Sequence, residues 1–306
     1  MTTLPVKYSL FPNGGFRIIG DCKTGNQESG SQKSLGVSRE SLEPTRPESP
    51  SPWADNSASR VKSLNRCWHT TSRIAEIAFA KMLTFCLVHG STQGAAGWDR
   101  LVAEFERRGH RTIVPTLPIN EPEASALRYA EAIVQTLPDD AGDVVVVAHS
   151  ASGLFLPLVP IRRQVRQIVF LAAVIPKIGA SLIDQFRAEP HMMNPEWIGK
   201  DPTASEEIAM RFLFHDCSPE IAQWALTTRR LMYAQRAYTE LCPLDRWPCV
   251  PSAYIVCADD RTVAPAWSKS AARERLGVEP IELSGGHCPH VSRPADLADA
   301  LLAISL

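Results

Sequence analysis

From Met82 onward the chain alternates short apolar runs with amphipathic stretches, six times over. LTFCLV (83–88) precedes a helical pattern at Trp98–Arg108, and RTIVPTL (111–117) precedes one at Glu123–Thr136. DVVVVAH (143–149) leads into Ala151–Arg162, and QIVFLAAV (167–174) opens a long helical and irregular stretch running to about Trp247. AYIVCA (253–258) precedes Ala264–Leu276, and VEPIEL (278–283) precedes Pro294–Ile304. Continuous apolar strands separated by amphipathic helices read as a parallel sheet covered on both faces, so the expected class is α/β with six mostly parallel strands. The long interruption, about 177–247, is expected to be a helical cap inserted over the C-terminal edge of the strands, where ligands of open α/β sheets bind.

Residues 1–81 have a different texture. Ser, Pro and Glu dominate Gln27–Arg60, and no apolar periodicity is available to offset the entropy of ordering. This part holds 11 Lys and Arg against 7 Asp and Glu, whereas residues 82–306 hold 21 against 26, so the net charge of −1 sums two unlike parts. We therefore expect a low-complexity, dispensable extension at 1–81, Met82 being a candidate natural start, and a catalytic domain at 82–306. The near-neutral balance excludes a dedicated nucleic-acid binder. No run approaches the ~20 apolar residues of a membrane span, and no secretory signal stands at the start. Eight cysteines without compact spacing, two of them (Cys86 and Cys257) inside apolar strands, read as reduced thiols, so a cytoplasmic location is expected.

The third strand runs straight into Ala148-His149-Ser150-Ala151-Ser152-Gly153. A serine at a sharp strand-to-helix turn needs small neighbours two residues either side, and Ala148 and Ser152 supply them. Ser152 is the rival nucleophile, but its own +2 neighbour is Leu154, which favours Ser150. Serine needs a base, and the base an orienting acid. Asp259-Asp260 follows the fifth strand, and Ser284-Gly285-Gly286-His287 follows the sixth, so acid and base arrive on the sheet edge that carries Ser150. Asp260 is favoured over Asp259 because its spacing leaves a turn residue, with Asp259 a loop carboxylate that caps or pairs with Arg261. His287 is favoured over His290, which lies beyond Pro289; a His-Cys-Pro-His metal pair lacks further ligands at suitable spacing. The first strand ends in His89-Gly90-Ser91-Thr92-Gln93-Gly94, whose backbone can offer the Ser91 N–H beside that of Ala151 to an oxyanion.

These pieces resemble the α/β-hydrolase superfamily, and within it the small branch of plant methylesterases, hydroxynitrile lyases and bacterial esterases. LVHGSTQGAAGWDRL (87–101), VVAHSASG (146–153), YIVCADDRTV (254–263) and GGHCPHVSRP (285–294) carry the likeness, which begins at about Met82. The resemblance implies Ser150, Asp260 and His287 as catalytic triad, Ser91 and Ala151 as oxyanion-hole amides, and a small-molecule ester as substrate, without metal or organic cofactor. Hydroxynitrile lyases of the branch carry Thr at the position of Gly90 and Lys after the catalytic histidine; Gly90 and Cys288 here point instead to ester hydrolysis. A non-catalytic ligand-binding receptor on the same fold is the alternative. Cap residues Met192, Met193, Trp197, Met210, Phe212, Phe214, Trp224, Met232 and Tyr233 are candidates to line an apolar pocket or to pack the cap on the core.

Overall fold

The computed structural model describes residues 82–306 and, before them, two short strands, β1 (Lys7–Leu10) and β2 (Phe16–Ile19), paired antiparallel. The rest of the stretch expected to be a low-complexity extension lies outside the described residues.

Six further strands build one sheet: β3 (Thr84–Val88), β4 (Arg111–Ile113), β5 (Val144–His149), β6 (Gln167–Leu171), β7 (Ser252–Cys257) and β8 (Ile281–Leu283). Their spatial order is β4-β3-β5-β6-β7-β8, and every pairing is parallel. The alternation of side chains explains why both faces are buried. On β5, Val145 and Val147 join one apolar cluster with Phe85, Leu87, Trp98 and Phe105, while Val144, Val146 and Ala148 join another with Tyr129, Phe155 and Tyr254. At about 1.5–3 kcal/mol per fully buried apolar side chain, a one-residue slip of β5 would exchange the two faces and displace the serine that follows. Cys86 and Cys257 are buried free thiols in these strands, and burial pushes the Cys86 thiol up to about 12.

Prolines shorten several expected elements. The run at 111–117 is a strand only to Ile113, with Pro115 two residues on, and the run at 278–283 only from Ile281, just after Pro280, since a proline cannot donate to a ladder. The helix expected at Ala151–Arg162 is instead a chain of tight 3₁₀ turns, Ser150–Leu154 and Leu156–Leu158, ending in one helical turn, Val159–Arg162. Pro157 and Pro160 each remove an N–H that a regular α-helix would need there. The run at 167–174 stops at Leu171 because Ala172 turns the chain at φ +45°.

Between β6 and β7 lie four helices, Leu182–Ala188, Glu206–Phe212, Pro219–Thr227 and Gln235–Thr239. Serine side chains cap the first three, Ser181, Ser205 and Ser218 each accepting from a backbone N–H of the first turn. Ala209, Leu213, Phe214, Ala222, Ala225 and Leu226 of this region pack on Cys288 and Val291, just after β8. Of the nine candidate pocket residues, Met192, Phe212, Phe214 and Met232 are fully buried packing residues. Among the described residues no helix is long and apolar enough to cross a membrane.

Candidate active site

The sheet order places the loops after β3 and β5 side by side. The chain leaves β3 toward β4 on one side and returns to β5 on the other, which makes their shared C-terminal end the switch point where open α/β sheets bind ligands. Ser150 opens the turn after β5 with φ +56°, a left-handed conformation that costs a non-glycine residue about 1–3 kcal/mol. Three contacts hold it there. The Ser150 carbonyl accepts from Val174 N at 3.0 Å. Gly153 lets the chain after β6 approach so closely that a Cβ would lie 2.1 Å from the Val174 carbonyl oxygen. Gly90 does the same from β3, for a Cβ there would lie 2.8 Å from Ser150 Cβ.

A hydrogen-bonded relay runs from this serine. His287 Nε2 lies 3.0 Å from Ser150 Oγ, and His287 Nδ1 lies 2.8 Å from Asp260 Oδ2. With the carboxylate accepting, Nδ1 carries the proton and Nε2 is free to accept from the serine hydroxyl. The other oxygen of Asp260, Oδ1, accepts from Thr262 N at 2.7 Å, Thr262 Oγ1 at 3.0 Å and Val263 N at 3.1 Å. The carboxylate is thus fixed by its own loop while its second oxygen faces the imidazole. Asp260 and His287 are buried, Ser150 half-buried.

The rival residues have other positions. Ser152 is fully buried and donates to the His89 carbonyl at 2.5 Å. Asp259 accepts from Gly285 N at 3.1 Å through Oδ2, and Arg261 reaches the Arg211 carbonyl rather than Asp259. His290 points its Nε2 at Gln93 Oε1, 3.0 Å away, while Gln93 Nε2 donates to Thr228 Oγ1 at 3.1 Å. That orientation of Gln93 makes His290 Nε2 a donor. Cys288 is buried, its thiol on the same Gln93 oxygen at 3.5 Å. Among the described residues no group of three or more His, Cys, Asp or Glu is placed to hold a metal ion.

Several contributors were not read from the sequence. His149 Nε2 donates to the His287 carbonyl at 2.8 Å, so the base is gripped from the serine's own strand. The rings of His149 and His287 are 4.6 Å apart, those of His149 and His290 4.8 Å, and Trp98 lies against His290 at 4.3 Å. Burial, reinforced whenever His287 carries a charge, holds His149 well below the usual imidazole range and lowers His290 to about 3. His89 is lowered too, mainly by burial. Gly153, at +3 from the serine, was visible as a residue but gains its meaning from Ala173-Val174, which the chain brings back from β6.

Ser91 and Ala151 occupy the adjoining turns after β3 and β5. The Ser91 carbonyl accepts from Met232 N at 2.8 Å and that of Thr92 from Arg230 N at 3.2 Å, so residues after the third cap helix fix this loop. Beside it opens a cavity of about 510 Å³, walled by Ala95, Ala96, Leu117, Pro118 and Ile119, with Asn120, Glu121 and Arg230 among its polar groups. His89 borders it, whereas Ser150 does not, so the chamber lies to the side of the serine.

Known proteins share this architecture. A model of the alpha/beta hydrolase family matches residues 87–300. Methylesterase 8 of Arabidopsis thaliana is 27% identical over 246 residues, covering 72% of this chain and 89% of the plant protein. The alpha/beta hydrolase nvfD of Aspergillus novofumigatus is 25% identical over 233 residues, covering 68% of this chain and 90% of its own. Among solved structures, polyneuridine aldehyde esterase superposes with a TM-score of 0.61 at 23% identity, over 74% of this chain and all of that one. Taken with the six-stranded parallel sheet and the serine turn at its switch point, the family match over residues 87–300 places the chain in the α/β-hydrolase family, plant methylesterases being among the proteins it is similar to.

Proposed function

We propose that this protein is a carboxylic ester hydrolase working through a Ser150-His287-Asp260 triad. The observation that carries the reading is the continuous relay, 3.0 Å from serine to imidazole and 2.8 Å from imidazole to carboxylate. Ser150 attacks the ester carbonyl as His287 Nε2 takes its proton, and Asp260 orients the ring and stabilises the imidazolium. The Ser91 and Ala151 amides bind the oxyanion of the tetrahedral intermediate, a contact whose loss typically costs about 3–4 kcal/mol. His287 returns its proton to the leaving alcohol, and a water activated by the same nitrogen releases the acid from the acyl-enzyme.

The side chamber, with its small and apolar walls, suits a modest apolar group of the ester. Hydrolysis rather than lyase chemistry is supported at two positions. A Cβ at Gly90 would press on Ser150 Cβ at 2.8 Å, and Cys288 is buried on Gln93. The test is turnover of short and medium aryl esters by the wild type and Ser150→Ala. The variant should lose about 10⁶-fold in kcat, the scale seen when a triad nucleophile is removed. Equal activity in the variant excludes Ser150, and binding of esters without turnover by the wild type favours the receptor alternative.

A further inference from the structure

We propose that Asp216, carried by the cap, is a positioning residue for the catalytic base, with His215 beside it holding the acid's loop; the inference rests on the triad reading above. The segment His215-Asp216 joins the helices Glu206–Phe212 and Pro219–Thr227 and lies about 70 residues before the base in sequence. Asp216 Oδ2 accepts from the N–H of Gly286, the residue immediately before His287, at 2.8 Å. His215 Nε2 donates to the Asp259 carbonyl, immediately before Asp260, at 3.1 Å. Two adjacent cap side chains therefore grip, one each, the residues that precede the acid and the base.

Those two loops are already knit together. Asp259 N donates to the Gly285 carbonyl at 3.0 Å, and Gly285 N to Asp259 Oδ2 at 3.1 Å. The cap adds the contact that fixes where this unit sits. His287 is then held from both sides, by Asp216 through the N–H of Gly286 and by His149 through its own carbonyl.

The paired glycines are shaped to receive these groups. A Cβ at Gly286 would lie 2.7 Å from His215 Nε2 and 2.9 Å from Asp216 Oδ1, and one at Gly285 would lie 2.7 Å from Asp216 Oδ2. Gly285 also needs its φ of +103°. The apolar packing of Leu213, Phe214, Ala222 and Leu226 on Cys288 and Val291 seats the same part of the cap on the same loop. A shift of about 1 Å in a catalytic group can cost on the order of 10²-fold in rate, so a bond that sets the base's main chain should show in kcat.

The role needs an acceptor oxygen and not a charge, which makes Asp216→Asn the rescuing variant and Asp216→Ala the disabling one. Full-length protein is assayed for aryl-ester kcat and KM, for the rate of covalent labelling of Ser150 by a fluorophosphonate, and for thermal unfolding. Asp216→Ala should lower kcat and the labelling rate about 10-fold, with KM within about 2-fold, and Asp216→Asn should stay within about 3-fold of wild type. A fall in Tm with unchanged kcat and labelling would overturn the proposal, and so would a loss in Asp216→Asn equal to that in Asp216→Ala. If Asp216→Ala does not fold, the half-buried His215→Ala takes its place, with about 3-fold lower kcat expected and unchanged kcat as the contrary result. Wild type that neither hydrolyses esters nor labels at Ser150 defeats the triad reading itself. Wild type that labels, alongside an Asp216→Ala that labels equally fast, defeats only the positioning role.

Discussion

The turn after β5 and the loop after β8 carry Ser150 and His287, the proposed nucleophile and base, and they are built in different ways. The serine turn is held by backbone: Val174 N on the Ser150 carbonyl, the Val174 carbonyl closing on Gly153, and Gly90 pressed against the serine from the loop after β3. The base loop has one backbone bond, from Asp259 N to the Gly285 carbonyl, and otherwise rests on side chains from elsewhere, Asp216 from the cap, Asp259 from the loop after β7 and His149 from β5. One arrangement is rigid because the sheet is rigid. The other draws part of its support from the cap.

Asp260→Asn disturbs the base side while leaving the serine turn intact. An amide beside His287 Nδ1 favours the wrong tautomer, and kcat for aryl esters should fall about 10⁴-fold with the fold preserved; a loss under 10-fold would show that the carboxylate does not set the ring. A matched pair of glycine substitutions measures the two constructions directly. Gly153→Ala drives a methyl into the Val174 carbonyl oxygen and should cost about 3 kcal/mol in urea unfolding. The nearest atoms to a methyl in Gly286→Ala are the ends of His215 and Asp216, which can swing away, so about 1 kcal/mol or less is expected. Equal costs would erase the distinction between backbone and side-chain support.

A further effect concerns pH. His290 and His149 have folded-state values below the unfolded one, near 6.5, so the unfolded chain binds more protons once the pH drops beneath that value. Their contribution to stability is therefore complete above about 6.5 and declines as the pH falls, for His290 down to about 3. Each adds about 1.4 kcal/mol per pH unit to the slope. His290→Gln, which keeps an N–H donor for Gln93, should reduce the slope of stability against pH by that amount; an unaltered slope would mean that His290 is protonated in the folded protein.

The difference in construction also governs what could be read from the sequence. The six strands were legible because both sheet faces are buried, so each strand is a continuous apolar run. Ser150, Asp260 and His287 were legible because each follows such a run at a fixed short distance. Asp259 and Asp260 were separable only by loop spacing, and the hydrogen bonds of Asp259 to Gly285 give that preference its physical basis. The regular helix after Ser150 was misread because apolar periodicity outweighed Pro157 and Pro160. Asp216, His149 and Gln93 could not be found at all, since each acts on a partner 70 or more residues away, and nothing in local pattern or propensity encodes that meeting. The side chamber lies under the same limit, its walls being drawn from three separated segments.

The row of imidazoles behind the serine has a consequence for where charge can reside. His149 packs against His287 on one side and His290 on the other, and both rings already donate their single ring proton, to a carbonyl and to an amide oxygen. When His287 becomes cationic during turnover, its charge makes a second protonation beside it still harder. His149 therefore acts as insulation, polarisable enough to lie against a cation yet closed to the proton itself, with His290 behind it. In the proposed mechanism a proton leaving Ser150 thus has one nitrogen to go to, and passes from it to the leaving alcohol.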